Sequence, residues 1–536
     1  MEEVTAAAPA SAEGEEDMDR SEEEQEEEQE SAEAEEPDRI VQCKESLEGF
    51  LAAVRAHQNK EEEFDLEESL ASLSAEELTD LWSSLHDHLR SGGDGEAGRP
   101  EVVSGLVTVT RLTLSLTTLQ EDNCPPGLVS SAGILHETLP GLTDQKLANS
   151  LCQCLETYFT MDLPDKDSVI LNVLLFLLRK SLGEKAAKTD VRRVWALHPT
   201  LLEQSLTETE TLARLVAATA GSNLYLSSTE GVKWLTFLHS VSPGLVLRLH
   251  QESRSSLRSL SRAACRGLGE VYHKAWLASG GEFRTRLETD CLQDLMYRGM
   301  VSRKPEVNNI LTVLNCLHSD RRSQPTQNLL SRLYSPILWR YLKVANHEVR
   351  LNATVLFLDA YPLEDLEQTR EERDSNLERQ HNFIVNLLMD DDPSVRVEAI
   401  RGVCKIFSLY WQLISSDFIN KVISILFKKT VSDCSSPKVR MATIKGISQI
   451  LTTPQSHVYL KAILDKLSGC IHDTNEGVRA AFVDLLHTVK GNNIEADAHL
   501  SVLTNYFCRN EKHQVLEYCR LRESGGQTGG REGIHR

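Results

Sequence analysis

The residues able to do covalent or metal chemistry are few. His86-Asp87-His88 sets two imidazoles close together in sequence, but neighbouring positions on a helix point about 100° apart, so the pair does not converge on one ion. The 12 cysteines are scattered with no CxxC pair; Cys152 and Cys154 come closest. No secretory signal opens the chain, so the thiols are expected to be reduced, buried side chains of a cytosolic or nuclear protein. No phosphate-binding loop, GxGxxG, HExxH, zinc-ligand spacing or nucleophile elbow occurs. An enzyme, a cofactor, a metal and a small-molecule substrate are therefore not expected.

The remaining chemistry is that of charge. Residues 240–345 hold 16 Lys/Arg against 8 Asp/Glu, and Arg254, Arg258, Arg262 and Arg266 recur at every fourth position. On a continuous helix that spacing gives one drifting stripe of guanidinium groups, a candidate contact for a phosphate backbone without base readout. Residues 401–450 add 8 basic against 2 acidic, including the adjacent Lys428 and Lys429 as second candidates. Solvated outer faces of helices give the same pattern, which leaves both readings open. Residues 346–400 swing to 13 acidic against 5 basic. Such alternation suits a protein holding both a nucleic acid and basic protein segments.

These residues need a scaffold, and composition points to helices. Aromatic residues make up 6% of the 536 and hydrophobic residues 40%, which favours helix-on-helix packing and an all-α class. Residues 1–38 carry 18 Asp/Glu against Arg20 alone, leaving the other 498 residues at −6 of the total −23. A stretch so acidic and so poor in large apolar residues is expected to be a disordered tail. Ile40 to Leu89 reads as two or three amphipathic helices ending at Ser91-Gly92-Gly93-Asp94-Gly95. The Thr/Val-rich Val102 to Leu119 is read as helix on context. Val169 to Leu178, the most apolar run, is about half the ~20 residues of a membrane span and reads as a buried helix.

An internal repeat organises the second half. Asn346-His-Glu-Val349-Arg350, Asp392-Pro-Ser-Val395-Arg396, Ser436-Pro-Lys-Val439-Arg440 and Asn475-Glu-Gly-Val478-Arg479 superpose, with arginines 46, 44 and 39 residues apart. The period is that of HEAT and armadillo units, about 40–47 residues. Each segment opens on a helix-capping residue, and Pro393 and Pro437 fall at the first helical position. Each therefore begins the second helix of a helix–turn–helix unit. Its valine is expected to pack between the helices and its arginine to reach an acidic neighbour in the adjacent turn. Glu364 to Gln380, dense in charge, reads as a mobile or helical insertion between the first two units.

Ser331 to Leu342 (SRLYSPILWRYL), Asn346 to Ala353 (NHEVRLNA) and Leu356 to Pro362 (LFLDAYP) resemble the G-type HEAT-repeat subunit of condensin II. Glu288 to Met296 (ETDCLQDLM), Arg396 to Ile406, Ile471 to Leu486 and Phe64 to Trp82 support the resemblance, which runs from about Ile40 to Lys490. It implies a subunit that clasps the kleisin chain and, with it, double-stranded DNA without sequence specificity. SMC ATPases on other chains would supply the energy for mitotic chromosome condensation in the nucleus. Family chains are much longer and the similarity stops near Gly491, so a truncated or alternatively terminated form is expected. The acidic tail is likewise a departure from the family.

The expected organisation is a HEAT-repeat α-solenoid with disordered ends. It comprises the tail (1–38), an N-terminal helical segment (39–90), degenerate helical repeats (101–330), regular repeats (331–490) and a divergent, partly disordered end (491–536). No membrane association is expected. The competing assignment is a HEAT-type transport receptor or phosphatase scaffold acting through protein–protein binding.

Overall fold

The computed structural model describes residues 39–59, 65–91, 99–117, 119–201, 209–320, 323–492, 494, 501–502 and 504. The expected acidic tail and the Gly-rich Ser524 to Arg536 lie outside the described residues. No strand occurs among those described, and the chain divides into two compact units, Met1–Lys180 and Ser181–Arg536.

In the first unit the helices are α1 (Arg39–Glu45), α2 (Leu47–Asn59), α3 (Leu66–Ser72), α4 (Ala75–Ser91), α5 (Pro100–Ser115), α6 (Pro126–Thr138), α7 (Gln145–Thr160) and α8 (Lys166–Ser181). Four helices thus stand where two or three were expected before residue 91. The Thr/Val-rich segment is α5, in which Thr108 and Thr113 donate to carbonyls one turn back. Trp82, Leu128, Leu135 and Tyr158 are fully buried in this unit. The apolar run lies in α8, and no described helix is long and apolar enough to cross a membrane.

The second unit runs through α9 (Lys188–Ala196), α10 (Glu210–Ala218), α11 (Asn223–Leu226), α12 (Thr229–Leu238), α13 (Pro243–Ser256), α14 (Arg262–Ala278), α15 (Gly281–Arg286), α16 (Gln293–Val301), α17 (Glu306–Ser319), α18 (Gln324–Tyr334), α19 (Leu338–Tyr341) and α20 (His347–Ala360). It continues through α21 (Arg370–Leu388), α22 (Pro393–Tyr410), α23 (Ser416–Ile425), α24 (Pro437–Ile450), α25 (His457–Leu464) and α26 (Glu476–Gly491). From α20 onward the second helices α20, α22, α24 and α26 pack side by side in sequence order. This stacking of helix pairs is the HEAT-repeat solenoid architecture. Gly402 and Gly446 occupy the same place in successive second helices. A Cβ there would lie 2.4 Å from Leu358 Cδ1 and 2.5 Å from Cys404 Sγ, so glycine permits the close approach.

The repeat arginines join one unit to the next. Arg350 donates from Nε and Nη2 to both oxygens of Asp390 at 2.9 and 2.8 Å, and Arg440 does the same to Asp473 at 2.7 and 2.8 Å. Arg396 reaches Asp433 at 3.0 Å and Ser435 Oγ at 2.6 Å. Each arginine also holds its own turn: Arg350 bonds the Val344 and Ala345 carbonyls, Arg396 those of Asp390 and Asp391, and Arg479 those of Asp473 and Thr474. Val395, Val439 and Val478 are fully buried, whereas Val349 is half-buried.

The acceptors serve twice. Asp390, Asp433 and Asp473 each also accept a backbone N–H of their own turn, from Asp392, Ser436 and Asn475 respectively. Capping differs in part from the expectation. Asn346 and Asp392 cap with their own side chains, but Ser436 and Asn475 do not, and the aspartates beside them take over the turn.

The charged stretch from Glu364 to Gln380 is not an insertion. Most of it lies in α21, the first helix of its repeat, opened by a capping box in which Thr369 Oγ1 accepts from the Glu372 N–H and Glu372 accepts from the Thr369 N–H. Its early turns face water and its apolar residues come late: Phe383, Ile384, Leu387 and Leu388 are buried. Gln380 pins the preceding loop by bonding both the N–H and the carbonyl of Leu363.

Burial works to raise the pKa of Asp390, Asp433 and Asp473, but the arginine and backbone donors outweigh it and hold all three carboxyls below the ordinary carboxylate value. Stability from such groups is present above the unfolded value of about 4 and is lost as pH falls through the folded one. The triple variant Asp390→Asn, Asp433→Asn, Asp473→Asn should therefore be less stable than wild type at neutral pH but show a flatter acid limb. Thermal midpoints measured from pH 7 to about pH 2 check this; parallel curves would remove the ladder from the acid response.

Candidate nucleic-acid interface

The four arginines at every fourth position do not form one stripe. Helix α13 ends at Ser256, residues 257–261 turn, and α14 begins at Arg262. The break is built in: Leu257 and Leu260 are buried, Asn309 Nδ2 donates to both of their carbonyls at 2.7 and 3.2 Å, and Ser261 Oγ caps α14 by accepting from the Ala264 N–H. Arg254 ends one helix, Arg258 sits in the turn, and Arg262 and Arg266 share a face of the next.

The two halves have different partners. Arg258 Nε donates to Glu306 at 3.0 Å, and Glu306, nearly buried, also takes Arg298 and the Ser302 hydroxyl. Arg254 lies 3.7 Å from Asp294, which is ion-paired with Arg298 at 3.1 Å and bonds His250 Nε2 at the same distance. Burial pushes the Asp294 carboxyl up, but the His250 bond and the two arginines hold it below its ordinary value. Arg254 and Arg258 are thereby committed to joining helices. Arg262 and Arg266 are exposed and make no ion pair among the described residues.

Lys428 and Lys429 lie in the π-helical turn Leu426–Thr430 that closes α23. Both are exposed, and Thr430 behind them is buried and bonded to Thr443 at 2.8 Å. They belong to a repeat well beyond that of Arg262 and Arg266, so the structure does not gather the six candidates into one site. It gathers others instead. On the second-helix layer Lys304, Arg401, Lys438 and Lys445 line a groove of about 510 Å³. Arg401 and Lys445 stand five residues after the repeat arginines Arg396 and Arg440. Aligning the repeats at that position would have exposed the pair.

Burial pushes the Cys154 and Cys404 thiols up to about 12 and those of Cys124 and Cys470 up to about 11, so they stay protonated at neutral pH. Cys434 departs from the expected burial and is exposed. His88 Nε2 bonds the Lys44 carbonyl at 2.9 Å, which ties α4 to α1. Among the described residues no group of three or more His, Cys, Asp or Glu could hold a metal ion.

Residues 218–365 match the family described as condensin II non structural maintenance of chromosomes subunit, and residues 338–515 match the sister chromatid cohesion protein PDS5 family. The chain is 31% identical over 481 residues to condensin-2 complex subunit G2 of Mus musculus, covering 83% of this chain and 42% of that one. It is 29% identical over 475 residues to the same subunit of Xenopus laevis, covering 83% and 41%. The chain thus spans less than half the length of these relatives. A solved karyopherin, Kap121p bound to the extreme C-terminus of the protein phosphatase Cdc14p, aligns at 13% identity with a TM-score of 0.45, over 90% of this chain and 52% of that one.

Proposed function

Because the chain is homologous to the G2 subunits of condensin-2 over 83% of its length, we propose that it works as a non-catalytic HEAT-repeat subunit of condensin II. In this reading it binds the kleisin chain and, through it, the SMC ATPases, and it holds chromosomal DNA without sequence preference in the nucleus during mitotic condensation. The homology carries the assignment. It is supported by an architecture of stacked helix pairs, whose edges and faces present side chains for binding rather than a cavity for a substrate.

Phosphate contact needs guanidinium groups free of internal partners. That condition moves the DNA assignment from all four arginines to Arg262 and Arg266, with Lys428 and Lys429 as a separate candidate contact. Binding should weaken steeply with salt, because each neutralised phosphate releases counterions.

Affinity purification of the tagged chain from mitotic cells, followed by mass spectrometry, should recover a kleisin and SMC subunits. Recovery of Ran or a phosphatase subunit in their place would favour a transport receptor or phosphatase scaffold. For the DNA contact, replacing Arg262 and Arg266 by Glu should flatten the slope of log K against log salt by up to about 1.8 units, at ~0.9 per phosphate. Replacing Arg254 and Arg258 by Ala should lower stability and leave that slope unchanged. A wild-type slope in the Arg262/Arg266 variant would make that pair a solvated face.

A further inference from the structure

The groove on the second-helix layer has a composition that neither the DNA assignment nor the repeat packing requires. Its floor is aliphatic: Leu351 of α20, Val397 of α22, and Met441 and Ala442 of α24. Its charge is basic and unspent. Lys304, Lys438 and Lys445 are exposed and make no ion pair among the described residues. The one carboxylate in the lining, Glu398, is already held by Arg401 at 2.5 Å, and the neighbouring Lys405 is occupied by Asp359 at 2.9 Å. Ser394 and Ser436 place the first turns of α22 and α24 at the groove, where the partial positive charge of a helix N-terminus adds to that of the lysines.

A ligand for this surface must bring negative charge and aliphatic groups together. A nucleic-acid duplex brings only the first; its phosphates could meet the lysines, but it has nothing to bury over Leu351, Val397 and Met441. A peptide with carboxylates and aliphatic side chains in alternation satisfies both, gaining apolar burial on the floor and charge pairing at the edge. We infer that the groove is a docking site for an acidic, aliphatic peptide segment of a partner protein, seated across α22 and α24 between Lys304 and Lys445. The inference does not depend on the condensin reading, since it rests on the lining alone.

Fluorescence anisotropy on the full chain tests it with a labelled short peptide of repeating Glu-Glu-Leu-Leu as the probe. This peptide should bind, whereas Glu-Glu-Ser-Ser and Lys-Lys-Leu-Leu versions should not, because each lacks one of the two required features. The double variant Lys438→Glu, Lys445→Glu should weaken binding by about tenfold or more, as two partly desolvated pairs become repulsions. Both lysines are exposed, so the variant should fold, and circular dichroism verifies that it has. Lys428→Glu with Lys429→Glu, outside the groove, should leave peptide binding unchanged. Equal binding of the probe to wild type and the groove variant would overturn the inference. So would a groove variant that loses affinity for a short DNA duplex while the peptide fails to bind wild type.

Discussion

The ion pair between one repeat's arginine and the next repeat's aspartate is the constraint on which the regular half of the molecule depends. A helix pair cannot bury its own apolar stripe, so it must stack, and stacking by oily faces alone leaves the register free to slip. Arg350–Asp390, Arg396–Asp433 and Arg440–Asp473 remove that freedom, with side chains only 11–14% exposed. At that degree of burial, removing one partner costs more than a surface salt bridge would suggest, because the other charge is left desolvated and unpaired. The rungs differ in quality. The first and third are bidentate, whereas Arg396 leaves its Nε without a partner among the described residues.

The same pairs decide what the second-helix face can offer. Once register is fixed, a given position in each repeat reappears at a fixed place beside its counterpart. The position five residues past the ladder arginine is Val355, Arg401, Lys445 and Asp484 in turn. Two cations therefore sit side by side in the middle of the row, flanked by an apolar residue and an acid. The earlier part of the unit solves the joining problem differently. There Glu306 gathers Arg258, Arg298 and Ser302, and Glu288 gathers Trp276, Arg284 and Arg332. Carboxylates surrounded by several donors replace a one-to-one ladder, which explains why no short repeated motif marks those residues.

Much of this was legible in the sequence because helix class and repeat period are local. Four superposable segments sufficed to place the second helices and to assign their arginines an acidic neighbour. The identity of that neighbour was hidden, since Asp390, Asp433 and Asp473 lie in turns whose length varies between repeats. The arginine stripe failed for a reason also present in the sequence. Ser261 is a capping residue set one position before Arg262, so the fourfold spacing crosses a helix boundary. Charge density misled at α21, where an acidic solvent face was read as an insertion because its buried residues begin only at Gln380. The groove went unnoticed because Lys304 and Arg401 join Lys438 and Lys445 only across repeats, a relation that spacing within one helix does not reveal.

A double-mutant cycle on Arg440 and Asp473, read by chemical denaturation and amide hydrogen exchange, tests the ladder most directly. Asp473→Ala also removes the hydrogen bond to the Asn475 N–H, but that loss is common to the single and double variants and cancels in the cycle. Each single substitution should cost about 2–4 kcal/mol and the double little more than either, with exchange rising first in α24 and α26. Additive effects within a few tenths of a kcal/mol, or exchange unchanged in those two helices, would contradict the claim that these ion pairs hold the repeats in register.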